Sequence, residues 1–181
     1  MADDRPDRAQ SFVERLLKLA DPDDPDRATL AHLRRGHGAD DPSYTLGRCG
    51  WLFRAFADDR HGEEAALLTA GVFAQARGKC PQVAGVSLGE ALGRLPGAGE
   101  VPSIERRFID LLDTEPADLP YKLRQAVSLL AADGVGLDWH LLFSHLRQWG
   151  HPDRWVQKQW ARGFWSRAAA GGDIEHQISA E

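Results

Sequence analysis

The chain has 181 residues, of which 43% are hydrophobic and 27% charged, and its formal net charge is −5 at pH 7. This length suffices for a hydrophobic core without disulfide bonds or a structural metal, and the composition is that of a globular protein. No apolar run approaches the roughly 20 residues of a membrane-spanning helix, and the first residues are charged rather than apolar. We therefore expect a soluble, cytoplasmic protein.

The charges are distributed unevenly along the chain. Residues 1–26 contain eight acidic and four basic side chains, whereas residues 140–170 contain five basic side chains and a single acid, Asp153. Arginine outnumbers lysine by 18 to 4. Arginine binds phosphate in a bidentate manner, although a GC-rich genome produces the same bias. The acidic net charge therefore does not exclude a nucleic-acid partner, because the C-terminal part is locally positive.

The first half of the chain is predicted to form helices separated by short breaks. Apolar residues recur on one helical face over residues 12–20, and a break at residues 21–25 follows. Asp24 is predicted to cap the next helix, with Pro25 in its first position, and Ser87 to cap a short helix near residue 90. Ser43 is predicted to cap a third helix, and a fourth helix is predicted to start near Glu63.

The segment Pro96-Gly97-Ala98-Gly99 is predicted to be a linker, and four more helices follow it. Ser103, Asp138 and Asp153 are the predicted caps of three of them. Because no segment alternates as a β-strand does, we expect an all-α fold of two packed helical bundles with about four helices each, with a single tightly packed domain as the alternative. The bundles would comprise residues 1–95 and 96–170, followed by a disordered tail at residues 171–181. The four later helices are predicted near residues 103–113, 119–132, 138–149 and 153–168.

The last predicted helix has a basic stripe opposite an apolar one. At about 100° per residue, Arg154, Lys158 and Arg162 share one face. Three cations at this spacing repel one another, so folding alone does not favour them, whereas a polyanion would neutralise them. An ordinary solvated helix face would give the same pattern. The apolar face consists of Val156, Trp160 and Phe164, and the basic stripe is flanked by Trp155 and Trp165, which would stack on unpaired bases or pack against protein.

Other basic residues have both a functional and a structural explanation. Arg34 and Arg35 end a predicted helix, where cations favour the helix dipole. Arg106 and Arg107 lie outside an apolar stripe and are spaced to pair with Asp110. The remaining candidates are Lys122 and Arg124, on either side of the apolar stripe of helix 119–132, and Arg147, which shares the exposed face of helix 138–149 with His140.

The sequence contains no catalytic or metal-binding constellation. Its seven histidines form no HExxH motif and no cysteine–histidine spacing of a metal site, and no glycine pattern of a nucleotide-binding loop is present. Cys49 and Cys80 are far apart and are predicted to be buried, reduced thiols. We therefore expect a protein with no catalytic residues, no metal and no cofactor.

Several segments, taken in order, resemble the motifs of one protein family. They are Ala31-His32-Leu33-Arg34-Arg35-Gly36, His61-Gly62-Glu63-Glu64-Ala65-Ala66-Leu67-Leu68, Gly85-Val86-Ser87-Leu88-Gly89-Glu90-Ala91-Leu92, Glu105-Arg106-Arg107-Phe108 with Leu111-Leu112, and Leu123-Arg124 followed by Leu137-Asp138-Trp139 and by Leu146 and Trp149. Together they resemble the CasB family, the small subunit of the type I-E CRISPR surveillance complex Cascade. The resemblance spans residues 30–165 and depends on the order and spacing of the segments.

The resemblance implies an all-helical, non-catalytic subunit that pairs with a second copy of itself and lies beside the Cascade large and backbone subunits. There it would help to bind the guide RNA/target DNA heteroduplex and the displaced single-stranded DNA of the R-loop in antiviral defence. Gln125 and His151-Pro152 depart from basic positions of some relatives. The implied nucleic-acid contacts are Arg34, Arg35, Arg106, Arg107, Arg124 and Arg154, to which the helical face adds Lys158 and Arg162 and helix 138–149 adds Arg147.

The alternative is a purely structural scaffold subunit that bridges other Cascade proteins without direct nucleic-acid contact. Its arginines would then pair with acidic surfaces of neighbouring subunits, a role that arginine fills equally well. The six tryptophans predict exposed aromatic surface for protein association under either hypothesis.

Overall fold

A computed structural model describes the backbone of residues 5–178 and the side-chain surroundings of residues 8–170. Within this part of the chain the fold is all-α, as predicted, with no β-strand and one isolated parallel bridge between Gln82 and Leu137. None of the described helices is long and apolar enough to cross a bilayer. The helices are α1 (Arg5–Leu19), α2 (Arg27–Gly36), α3 (Ser43–Phe53), α4 (Arg60–Ala76), α5 (Leu88–Gly93), α6 (Pro102–Leu112), α7 (Leu119–Asp133), α8 (Trp139–Arg147) and α9 (Trp155–Ile178), with a 3-10 turn at Arg54–Phe56.

Two predicted helix caps are confirmed. Ser87 begins α5 with a capping box: its hydroxyl accepts a hydrogen bond from the Glu90 N–H, and the Glu90 carboxylate accepts one from the Ser87 N–H. Asp138 begins α8 by accepting hydrogen bonds from the backbone N–H groups of His140 and Leu141. Both caps satisfy N–H groups that have no partner within the helix.

Four other predicted caps are wrong. Ser43 is the first residue of α3 rather than its cap, and α3 has no side-chain cap. The cap of α2 is Asp26, whose carboxylate accepts from the Thr29 N–H, rather than Asp24. α6 begins at Pro102 and has no side-chain cap. Proline is favoured in this first position because it has no N–H group that needs a partner. Ser103 lies inside the helix and does not cap it. α9 begins at Trp155, so Asp153 lies one residue too early to cap it.

α4 lies at the centre of the fold and packs against α2, α7 and α8. Its buried surface consists largely of small side chains, among them Ala65, Ala66, Ala70 and Ala74. Small side chains let neighbouring helices approach closely on several sides. α4 can therefore contact helices from both halves of the chain.

An aromatic cluster joins the first and last parts of the core. The ring centroid of Phe12 in α1 lies 5.5 Å from that of Phe56 and 5.3 Å from that of Phe143 in α8. These rings belong to one continuous hydrophobic core that includes residues of both predicted bundles. The boundary at residue 95 stays a prediction, and the two sides of it are packed together.

α5 and α9 approach each other closely at two glycines. A methyl group at Gly89 would lie 2.5 Å from the Cα of Trp160, and one at Gly93 would lie 2.5 Å from the carbonyl oxygen of Phe164. Both distances are shorter than carbon or oxygen atoms tolerate, so only glycine allows this packing. The contact fixes the rotation of α9 and turns Trp160 and Phe164 into the core.

α9 is longer than predicted. The sequence indicated an end near residue 168 and a disordered tail at residues 171–181, whereas the backbone is helical to Ile178. Two glycines at 171–172 lower helix propensity by about 1 kcal/mol each, but they do not end the helix. Residues 179–181 of the predicted tail lie outside the described residues.

His145 is buried in α8 with 2% of its surface exposed. Its Nδ1 accepts a hydrogen bond of 2.8 Å from the indole Nε1–H of Trp160. Because an indole can only donate, Nδ1 carries no proton in this contact. Burial lowers the pKa of His145, and the nearby carboxylate of Asp138 opposes that effect.

We expect Gly89→Ala to lower the free energy of unfolding by about 1–3 kcal/mol, because the new methyl group overlaps the backbone of α9. Thermal denaturation followed by circular dichroism measures the effect. Gly47→Ala is the matched control: Gly47 is exposed in α3, and no neighbouring atom lies within 4 Å of the position that its methyl group would take, so alanine should raise stability by about 0.4–1 kcal/mol. Equal effects of the two substitutions would contradict the close packing of α5 on α9.

We expect stability to fall as the pH drops below the ordinary histidine pKa of 6.5, because the unfolded chain then binds a proton that buried His145 resists. The slope from one such histidine is at most about 1.4 kcal/mol per pH unit. His145→Asn should reduce this dependence in melts between about pH 5 and 8. His61→Asn, at an exposed histidine, is the control. A pH dependence that His145→Asn does not alter would contradict the assignment.

Candidate nucleic-acid interface

The basic stripe of α9 faces away from the core, as predicted from the helical wheel. Val156, Trp160 and Phe164 on the opposite face are fully buried. Lys158 and Arg162 are exposed, and neither forms an ion pair with a carboxylate in the described part of the chain. The helix therefore presents two cations that its own fold does not neutralise.

Arg154 is held differently from the other two cations of the stripe. It immediately precedes α9, with a left-handed φ of 49°. Its guanidinium donates to the carbonyl oxygen of Leu112 and lies 3.6 Å from the carboxylate of Asp113. A cation at the carboxyl end of α6 is favourable for the helix dipole. Arg154 therefore links the start of α9 to the end of α6, and its charge is partly neutralised there.

The two tryptophans beside the stripe are partly exposed. Trp155 retains 36% of its surface and Trp165 retains 43%. The rings of Trp155 and His145 pack edge to face, and so do those of Trp165 and Phe164. Each indole is thus anchored on one side, and the remaining surface faces away from the core.

Arg106 and Arg107 are exposed on α6, and the pairing with Asp110 that the sequence suggested is wrong. The Asp110 carboxylate instead lies 3.6 Å from the Nζ of Lys122 in α7. Within the described residues, no carboxylate pairs with either arginine. Both charges are therefore available on the surface of α6.

α6 runs antiparallel to α9 and packs on it, so Arg106 and Arg107 lie on a helix adjacent to the one that carries the basic stripe. Gly99, just before α6, contacts Ala168 near the distal end of α9. The ring of Phe108 stacks on Phe164 at 4.1 Å, and Leu112 contacts Arg154 at the start of α9. From the first contact to the last, the residue numbers rise along α6 and fall along α9, so the two helices are antiparallel.

Arg34 and Arg35 have different surroundings, although they are adjacent in sequence. The Arg34 guanidinium donates to the carbonyl oxygen of Ala74 in α4 at 3.4 Å, and Arg34 is half-buried. Arg35 is exposed, and its guanidinium carbon lies 4.8 Å from the ring centroid of Tyr44 in α3. Arg34 therefore anchors α2 on α4, whereas Arg35 belongs to the surface formed with α3.

Arg124 is exposed in α7, close to the carboxyl end of α2. His37, which follows α2, forms a 2.9 Å hydrogen bond between its Nε2 and the carbonyl oxygen of Pro120 in the first turn of α7. Burial lowers the pKa of His37; the Pro120 carbonyl opposes this, and the charge of Arg124 lowers it further. The contact places Arg124 on a helix next to α2.

Arg147 has a structural partner. Its Nη2 lies 2.7 Å from the Oδ2 of Asp59, the residue that caps α4 by accepting from the Gly62 N–H. The ion pair joins α8 to the start of α4, and both side chains are partly buried. A nucleic acid would have to compete with this contact, which sets Arg147 apart from the other predicted residues.

Sequence reasoning missed Arg48. In α3 its guanidinium carbon lies 4.1 Å from the ring centroid of Tyr44, the ring that Arg35 also contacts. The spacing of Tyr44 and Arg48, four residues apart on one helix, is a signal for their pairing. The approach of Arg35 from another helix depends on the tertiary fold and has no local signature.

Most of the predicted basic residues lie on helices that contact one another in a row. α2 meets α7 through His37 and Pro120, α7 meets α6 through Lys122 and Asp110, and α6 meets α9 through Phe108 and Phe164. We predict that the exposed charges on these helices form one continuous groove along the row. The exposed basic residues on these helices are together called the basic row: Arg35, Arg124, Arg106, Arg107, Lys158 and Arg162.

The described residues contain no cluster of three or more side chains suited to hold a metal ion. Both cysteines are buried, and burial raises the pKa of the Cys80 thiol to about 12 and that of Cys49 above its usual value. Neither thiol is therefore ionised near neutral pH, and neither is activated as a nucleophile.

Comparisons with known proteins agree with the fold. CasB from M. ruber is 30% identical over 92% of this chain and 97% of its own, with a TM-score of 0.69. CasB from Thermus thermophilus is 26% identical and covers 87% of this chain and 97% of its own, with a TM-score of 0.70. A chain of a CRISPR RNA-guided surveillance complex is 25% identical over 93% of this chain and 98% of its own, with a TM-score of 0.72.

A shorter match covers the CRISPR-associated protein Cse2 of Thermus thermophilus, at 33% identity over 78 residues. It comprises 43% of this chain and 44% of that relative's length. The family model of CRISPR-associated protein Cse2 matches residues 29–165, which is most of the chain and nearly the span of the resemblance seen in the sequence. The chain therefore belongs to the CRISPR-associated Cse2 family, whose solved members include the CasB proteins.

Proposed function

We propose that this chain is a non-catalytic small subunit of a cytoplasmic Cascade complex in antiviral defence. It helps to bind and stabilise target DNA, contacting the guide RNA/target DNA heteroduplex and the displaced single strand of the R-loop. Family membership and the similarity to a chain of a surveillance complex support the assembly. The basic row supports the contact with nucleic acid.

The observation that carries the nucleic-acid contact is the pair Lys158 and Arg162 on α9. Both are exposed on one helix face, opposite a buried apolar face, and without a carboxylate partner among the described residues. Like charges four residues apart destabilise a helix by a few tenths of a kcal/mol. A phosphate backbone would neutralise them and release counterions, which is the main source of affinity for nucleic acids.

Exposed aromatic side chains favour protein partners as well. Trp51 retains 48% of its surface and Tyr121 retains 61%, on α3 and α7 respectively. Aromatic residues are enriched at protein interfaces. We propose the Cascade backbone and large subunits, and a second copy of this chain, as the partners of such surfaces.

The second candidate is a scaffold subunit without direct nucleic-acid contact. Arg147 and Arg154 favour it, because both guanidiniums already bind carboxylates within the protein. The remaining basic residues would then bind acidic surfaces of neighbouring subunits. The two functions differ in salt dependence of DNA binding, which provides the test.

We expect the double variant Lys158→Glu with Arg162→Glu to weaken single-stranded DNA binding and shorten the lifetime of the R-loop in the assembled complex. The slope of log affinity against log salt should fall by about 0.7 for each phosphate that the protein no longer binds. The melting temperature should be nearly unchanged, because both side chains are exposed. Binding of a labelled strand across a salt series measures the slope.

The matched control is Lys18→Glu with Lys79→Glu, which changes the net charge equally at exposed positions outside the basic row. Equal losses of DNA binding in the two double variants would show that the effect comes from the net charge of the protein and not from these positions. Unchanged DNA binding and R-loop lifetime, with normal assembly, would favour the scaffold function. Failure to assemble without a change in DNA binding would identify these residues as protein contacts.

A further inference from the structure

Two arginines from different helices meet on the ring of Tyr44. Arg35 ends α2, Arg48 lies in the middle of α3, and their guanidinium carbons lie 4.8 Å and 4.1 Å from the ring centroid. The two carbons are therefore within about 9 Å of each other. Tyr44 is itself held in place, since its hydroxyl lies 3.0 Å from the Nδ1 of His32 in α2. The four side chains form a junction between α2 and α3.

The junction is positively charged and is not neutralised within the described part of the chain. Neither Arg35 nor Arg48 forms an ion pair with a carboxylate there. The carboxylates at the starts of the two helices are engaged elsewhere: Asp41 accepts from the N–H and hydroxyl of Ser43, and Asp26 accepts from those of Thr29. Two cations at this separation repel each other, and the ring only partly compensates for that repulsion.

Contact with an aromatic ring is compatible with hydrogen bonding by the guanidinium N–H groups. A guanidinium interacts with an aromatic ring through its flat face, while its N–H groups point outward in the plane. Those edges match the oxygens of a phosphate group, which arginine binds in a bidentate manner. Arg35 and Arg48 are both exposed, so the edges can reach a ligand on the surface.

We infer that Arg35, Arg48 and Tyr44 form a phosphodiester-binding cluster that extends the basic row onto α3. The inference rests on the proposed function, because it assigns the cluster to the backbone of the same single strand. Arg35 and Arg48 bind the phosphate oxygens, and Tyr44 is a positioning residue that holds both guanidiniums. Contact with the backbone rather than the bases makes the binding independent of sequence.

The test is binding of a labelled oligothymidylate strand to the full-length chain across a salt series. Arg48→Gln should weaken binding several-fold and lower the slope of log affinity against log salt by about 0.7, the value for one phosphate contact on a single strand. Arg48→Lys keeps the charge but loses the bidentate fork, and it should give an intermediate affinity. Arg54→Gln is the matched control, since Arg54 is exposed just after α3 and contacts no aromatic ring among the described residues.

Substitutions of Tyr44 test its positioning role. Tyr44→Phe keeps the ring and should bind nearly as the unchanged chain does, whereas Tyr44→Leu should weaken binding. In combination with Arg48→Gln, Tyr44→Leu should add less than its separate effect, because both remove the same contact. Melting temperatures of all variants separate a loss of binding from a loss of folding. Additive losses, or equal losses for Phe and Leu, would overturn the role of the ring.

The outcomes separate this cluster from the proposed function. If Arg48→Gln behaves as Arg54→Gln while Lys158→Glu with Arg162→Glu weakens binding, the cluster is wrong and the proposed function stands. If the unchanged chain binds no strand at the lowest salt, the cluster is wrong, and R-loop lifetime in the assembled complex decides the proposed function. If Arg48→Gln lowers the salt slope while Arg54→Gln does not, the cluster is supported.

Discussion

The close contact between α5 and α9 determines which face of the last helix is exposed. Gly89 and Gly93 let the backbone of α5 reach the backbone of α9 at Trp160 and Phe164. Because this contact fixes the rotation of α9, the side chains on the opposite face, Lys158 and Arg162, must point to the surface. A buried contact between two backbones therefore decides the position of charges that take no part in it.

The arginines of this chain serve two different purposes, which their partners distinguish. Arg34, Arg147 and Arg154 donate to carbonyl or carboxylate oxygens on neighbouring helices and hold the fold together. Arg35 and Arg48 contact only an aromatic ring among the interactions of the described residues. An acidic protein can thus carry surface cations that its own carboxylates do not neutralise, because net charge says nothing about which pairs form.

The sequence predicted the fold class, the family and the faces of α9 correctly, because these depend on periodicity and on motifs that lie close together in the chain. Pairing between charges was predicted less well. A pair such as Arg106 and Asp110 stabilises a helix by only about 0.2–0.5 kcal/mol, and the approach of Lys122 from α7 is enough to replace it. Arg48 was missed for the same reason, since its neighbour Arg35 arrives through the packing of α2 on α3.

The proposed contacts lie at the two ends of a row of packed helices, and their mechanical support differs. At one end, Lys158 and Arg162 project from a helix whose opposite face is fully buried, so α9 cannot turn without disrupting the core. At the other end, Arg35 and Arg48 are held by a single partly buried ring and one hydrogen bond to His32. A strand that follows the row would meet a rigid contact on α9 and a more adjustable one on α3. Contacts that share no partner contribute nearly independently to affinity, so loss of the adjustable end leaves the rigid end functional.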